Sequence, residues 1–128
     1  MSYYFAKTVE APFEEVVGRT VEALKAEGFG IITEIDVQKT LESKIDVAFR
    51  PYLILGACNP AMAHAALQIE NKVGTMLPCN VIVQERSATT VEIAAIDPVE
   101  SMRAIENPTL TKMASEIGAK LRSALDRI

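Results

Sequence analysis

Two short polar motifs hold most of the chemistry this sequence offers. Cys58-Asn59-Pro60 is followed by His64, and Pro78-Cys79-Asn80 lies further along. A thiol placed just before a helix start meets unpaired backbone N–H groups and the positive end of the helix dipole, which together favour a thiolate. His64 is the one histidine of the chain, and an imidazole titrates near neutral pH. These residue types point to two kinds of chemistry. Cys58 is a candidate nucleophile with His64 as its base, and Cys58, His64 and Cys79 are candidate ligands of a soft metal ion. The two cysteines are too far apart for a CxxC redox motif. A plainer alternative stands beside these, in which both thiols are small buried apolar groups and His64 is a hydrogen-bonded surface residue. A disulfide between the two cysteines is a further alternative.

Four charged residues and two amides complete the candidate set. Glu34 and Asp36 share one face of a predicted strand, either as a solvated face or as the wall of a polar site. Arg50, ahead of Pro51-Tyr52, has the fork geometry for an anion or for a carboxylate such as Asp36 or Asp46. Asp97 precedes Pro98, as a turn residue or a site residue. Asn59 and Asn80 flank the thiols as hydrogen-bonding groups.

The elements that must position these groups are legible from periodicity. Tyr3–Glu10 reads as a strand, and Pro12 opens a helix with Phe13, Val16, Val17, Thr20, Val21 and Leu24 on one stripe. Gly28 ends that helix. Ile31–Gln38 alternates as a strand, with Ile31, Thr33, Ile35 and Val37 on one side. Leu41–Phe49 fits a short helix or a mixture of turn and strand. A covered strand begins after Pro51, since proline disfavours helix at Arg50. Asn59-Pro60 supplies an N-cap and first-turn proline for an alanine-rich helix to Glu70. Met76–Glu85 and Thr90–Ile96 form a hairpin. Val99–Glu106 is a connection with room for one helical turn. Asn107-Pro108 opens a last helix with Leu110, Met113, Ala114, Ile117, Leu121 and Leu125 as its stripe. Grouped strands with few helices predict a single α+β domain over 1–128. It is built on a curved, mainly antiparallel sheet with helices on one face and an extra short helix at about 60–70.

Composition narrows the function classes. The chain has 128 residues, 49% of them hydrophobic and 5% aromatic, and a formal net charge of -4. An acidic chain without a Lys/Arg cluster or Trp lacks the basic field and stacking platforms of a nucleic-acid binder. No apolar run reaches membrane-spanning length. The N-terminus becomes charged too early for an export signal, so reduced thiols in the cytoplasm are expected. Gly28 and Gly30 follow a helix and precede a strand, the reverse of a dinucleotide-binding loop.

The wording of several segments carries a resemblance. Tyr4-Phe5-Ala6-Lys7-Thr8, Gly28-Phe29-Gly30 with Thr33-Glu34-Ile35-Asp36, and Phe49-Arg50-Pro51-Tyr52 occur in order. They are followed by Leu55-Gly56-Ala57-Cys58-Asn59-Pro60 with Ala63-His64, then Leu77-Pro78-Cys79-Asn80-Val81 and Ala95-Ile96-Asp97-Pro98. Over its whole length the chain resembles the family catalogued as domain of unknown function 302. That resemblance implies an α+β fold similar in topology to a TATA-binding-protein repeat. It also implies that a site would involve Glu34, Asp36, Arg50, Cys58, Asn59, His64, Cys79, Asn80 and Asp97. It brings no activity with it, and fold analogy does not transfer DNA binding.

Three functions compete at this point. One is a small ligand- or metal-binding module with its site near Cys58, His64 and Cys79. The second is a thiol enzyme using Cys58 with His64. The third is an interaction protein acting as a homodimer. No cofactor is required by the sequence, and a soft metal ion suits its thiols.

Overall fold

The structure, a computed structural model, describes residues 2–128. Its frame is a five-stranded antiparallel sheet in the order β1-β5-β4-β3-β2, formed by β1 (Tyr4–Val9), β2 (Gly30–Asp36), β3 (Tyr52–Cys58), β4 (Cys79–Glu85) and β5 (Val91–Ile96). The helices are α1 (Phe13–Ala26), α2 (Val37–Ile45), α3 (Pro60–Ile69), α4 (Pro98–Ser101) and α5 (Pro108–Asp126), with a 3-10 turn at Val73–Met76. This is the expected α+β class, with helices packed on one face of the sheet.

Strand alternation decides which side chains the helices cover. Leu53, Leu55 and Ala57 of β3, Val81 and Val83 of β4, and Val91, Ile93 and Ala95 of β5 are buried together with Val16 and Leu24 of α1 and Leu121 and Leu125 of α5. The stripes of α1 and α5 read from the sequence supply that core. The intervening positions form the open face: Tyr4, Ala6, Thr8, Thr33, Ile35, Tyr52, Ile54, Asn80, Ile82, Gln84, Glu92, Ala94 and Ile96. Lys7 is on the covered side, where its ammonium donates to the carbonyls of Leu125 and Ile128 at 3.3 and 3.2 Å. A cation there satisfies orphan acceptors at the C-terminal end of α5.

Three local expectations are corrected. The strand expected to run to Gln38 stops at Asp36, because the Asp36 carboxylate accepts from the Lys39 backbone N–H at 2.9 Å and starts α2. Val37 and Gln38 are therefore helical, and the ambiguous stretch after Leu41 is the end of that helix followed by irregular chain. Asp46 closes α2 in the left-handed region at φ 53°, a conformation that Asp tolerates. Second, a bulge between Ile31 and Thr33 breaks the assumed alternation. Ile31 consequently sits opposite Ala57 on the covered face, while Thr33 and Ile35 lie opposite Gly56 and Ile54 on the open one. Third, β4 begins at Cys79 rather than Met76, since Val73–Met76 coils into the 3-10 turn.

Gly56 is held to glycine by close approach. A Cβ there would collide with the Thr33 hydroxyl and lie 2.7 Å from Cγ of Pro78. The threonine can rotate away, but the proline ring is fixed in the chain. Gly56→Ala is expected to destabilise the fold by about 1–3 kcal/mol, the range for overpacking a tight site. Urea denaturation checks this, and adding Thr33→Gly should recover only part of the loss.

Candidate functional site

The end of β3 and the start of β4 bring the two thiols to one cavity. Cys79 pairs with Ala57, the residue before Cys58, so the cysteines are diagonal neighbours on adjacent strands. Cys58 is half-buried and Cys79 buried, and both are free thiols. Beyond Cys58 the chain turns directly into α3. Asn59 is its N-cap, with Oδ1 accepting from the Met62 N–H at 3.2 Å, and Pro60 occupies the first turn. Gly28, at φ 90°, lets the end of α1 approach Asn59, whose Nδ2 would be 3.2 Å from a Cβ placed there.

The cavity has a volume of about 310 Å³ and lies between the β3–β4 ends, α3 and α5. Its wall is apolar: Phe29, Met62, Leu77, Met102, Leu110 and Met113 contribute most of its bulk, with Asn59 the polar group at the wall beside the thiols. Burial, reinforced by the neighbouring Cys58, pushes the Cys79 thiol up to about 11. Cys79 is therefore a neutral thiol at physiological pH, contrary to the activation a nucleophile needs.

The remaining sequence candidates do not gather there. His64 is exposed on α3 and is not part of the cavity wall. Asn80 follows Cys79 but points to the opposite side of the sheet, where it shares a groove with Tyr4, Tyr52, Gln84 and Glu92. Arg50 is on that side too. Its Nε donates to Gln84 Oε1 at 2.9 Å, and its guanidinium stacks 4.4 Å from the Phe49 ring and 5.4 Å from that of Tyr52. Gln84 Nε2 in turn donates to Glu92 Oε1 at 2.9 Å. Asp97 Oδ1 accepts from the Val99 N–H at 3.0 Å and caps α4, as Asp36 caps α2, while Glu34 is exposed. Three of the candidate polar residues, Asp36, Asn59 and Asp97, thus hold helix starts.

Among the described residues no group of three or more His, Cys, Asp and Glu is placed to hold a metal ion. The sulfur donors are a different matter: Cys58, Cys79, Met62, Met102 and Met113 all line the one cavity. Sequence reasoning missed the methionines because Met113 fits the core stripe of α5, and Met102 sits in a connection with no periodicity. Among the described residues no helix is long and apolar enough to cross a membrane.

A family model described as "Domain of unknown function DUF302" matches residues 5–128. The chain is also similar to a solved structure, "Crystal structure of uncharacterized conserved protein DUF302 from Bacillus stearothermophilus". The two share 30% identity and a TM-score of 0.91, over 99% of this chain and 98% of that one. No curated protein matches the sequence.

Proposed function

Because this chain belongs to the DUF302 family, whose description gives no reaction, we propose from the cavity itself that it is a small ligand-binding module. The supporting observation is an apolar chamber of about 310 Å³ with a half-buried thiol and an amide on its wall. That volume is about twice the cavity that accommodates benzene, and it suits a compact apolar group. The polar end of such a ligand would meet Asn59 and Cys58. Binding is favoured over thiol catalysis because His64, the base that a Cys58 nucleophile would need, is exposed on α3 and is not part of the cavity wall. The module is one domain over 1–128 and works in the cytoplasm, where both thiols stay reduced. It acts as a homodimer, the default symmetric assembly.

A fluorescent probe of this class, 8-anilinonaphthalene-1-sulfonate, tests the reading. The protein is expected to bind it saturably at one site and to release it to medium-chain alcohols. Ala66→Trp, which fills the chamber from α3, should weaken binding at least tenfold, by about 1.4 kcal/mol or more. Absence of saturable binding, or equal binding by the folded variant, overturns the proposal. The five sulfur atoms favour one second reading, a soft ion such as Cu(I). Capture of one Cu(I) from a chelator, abolished by Cys58→Ala with Cys79→Ala, would select that ligand instead.

A further inference from the structure

The open face of the sheet breaks the usual pattern. When an antiparallel sheet keeps one face in water, the side chains on that face are normally polar. Here the central open-face positions are Ile54, Ile82 and Ala94, flanked by Ile35, and among the described residues no helix covers them. Tyr4 is 44% and Ile35 48% exposed, so apolar surface reaches across the sheet from β1 to β2. A patch of this kind on a water-facing sheet marks an interaction surface.

We propose that this face is the interface of a homodimer, two copies stacking sheet to sheet about a two-fold axis. The proposal rests on the homodimer reading above and adds to it the surface through which the copies meet. Two observations favour a second copy as the occupant. The first is charge. The whole chain carries a net -4, so identical copies repel, yet the five strands present a single carboxylate on this face, Glu92. That carboxylate is already linked through Gln84 to Arg50. Two copies therefore meet where each brings one carboxylate, and that one is linked to a guanidinium. The second is area. Five strands of six residues or more give a face of roughly 500 Å², so a stacked pair buries about 1,000 Å² in all. That reaches the lower bound for a specific interface, and Tyr4 and Tyr52 place aromatic side chains of the kind enriched in such contacts. Aligned stacking of twisted sheets is a standard packing mode.

Sedimentation velocity of the full chain across the micromolar range tests the proposal. The wild type is expected to sediment as a dimer. Ile54→Glu with Ile82→Glu should shift it to monomer, raising the dissociation constant at least about a hundredfold, because four added carboxylates would then lie in the interface. Ile35→Glu changes a side chain that is already half in water, and it provides a variant whose folding is not in question. It is expected to weaken the dimer at least about tenfold. Gln68→Glu, on the exposed side of α3 and outside the cavity wall, should leave the dimer intact. A wild-type dimer that survives both open-face variants overturns this interface and leaves the homodimer reading standing. A wild type that is monomeric throughout overturns both, and so assigns the face to a different occupant.

Discussion

Leu121→Ala is expected to lower the unfolding free energy by about 3 kcal/mol, inside the range of about 2–5 for deleting a buried leucine side chain. Leu121 has no exposed surface and belongs to the central cluster with Leu24, Leu55, Val81 and Ile93. Its helix, α5, touches α1, α3, α4, β1 and β5, so neighbours on several elements would have to move inward to fill the space. Elements pinned from several sides do not collapse readily, and the lost packing adds to the lost transfer free energy. The wall of the chamber offers a contrast. Met113 is only half-buried, beside space that already exists, so shortening it enlarges an opening and costs less. Denaturant unfolding of both variants checks the ranking. A Leu121→Ala loss below about 1 kcal/mol, or one smaller than that of Met113→Ala, would show that α5 does not close the core as described.

The ranking also explains why so much of the fold was legible in the sequence. Leu110, Ala114, Ile117, Leu121 and Leu125 recur at helical spacing because one face of α5 is buried, its C-terminal half in the sheet core and its N-terminal half against Ala66, Val73 and Met102, and burial on one face is what produces a 3.6-residue pattern. Asn59-Pro60 and Asn107-Pro108 announced helix starts correctly, since a capping side chain and a first-turn proline act locally. Asp36 caps α2 in the same way but without the proline, since Val37 follows it. Its neighbours Ile35 and Val37 continued the alternation, and a cap following an alternating run looks like one more strand residue. The bulge at Ile32 left no mark either, because it is set by pairing with β3, a partner more than a local window away.

The site divided along the same line. Cys58 stands out in the sequence as the residue before a helix start, and β3–β4 pairing brings Cys79 to it. Alternation along a strand through Cys79 and Asn80 already sends their side chains to opposite faces, and which of the two faces the helices cover is decided by the sheet as a whole. Arg50 shows the limit most clearly. Its partner is Gln84 across the β3–β4 ladder, and an amide within a buried strand gives no signal that it will accept from a guanidinium.

Cys79 supplies a result that separates burial from mere proximity of two thiols. Its folded thiol is raised from 9.0 to about 11, so the folded chain holds a proton there that the unfolded chain gives up earlier. Its contribution to stability is therefore complete below about pH 9, declines as pH rises, and is lost by the time the folded value is passed. With two pH units between the states, the loss amounts to about 2–3 kcal/mol. Urea denaturation between pH 8 and pH 11 under reducing conditions measures it against Cys79→Ala. Lysine and tyrosine titrations act on both proteins alike, so the difference in slope isolates the thiol. Curves that stay parallel would mean that Cys79 ionises freely in the fold and that water reaches the cavity wall. A flatter curve for the variant would place the Cys79 thiol in the apolar wall of the chamber as a neutral group. Cys79 then contributes to the chamber as packing and not as a charge.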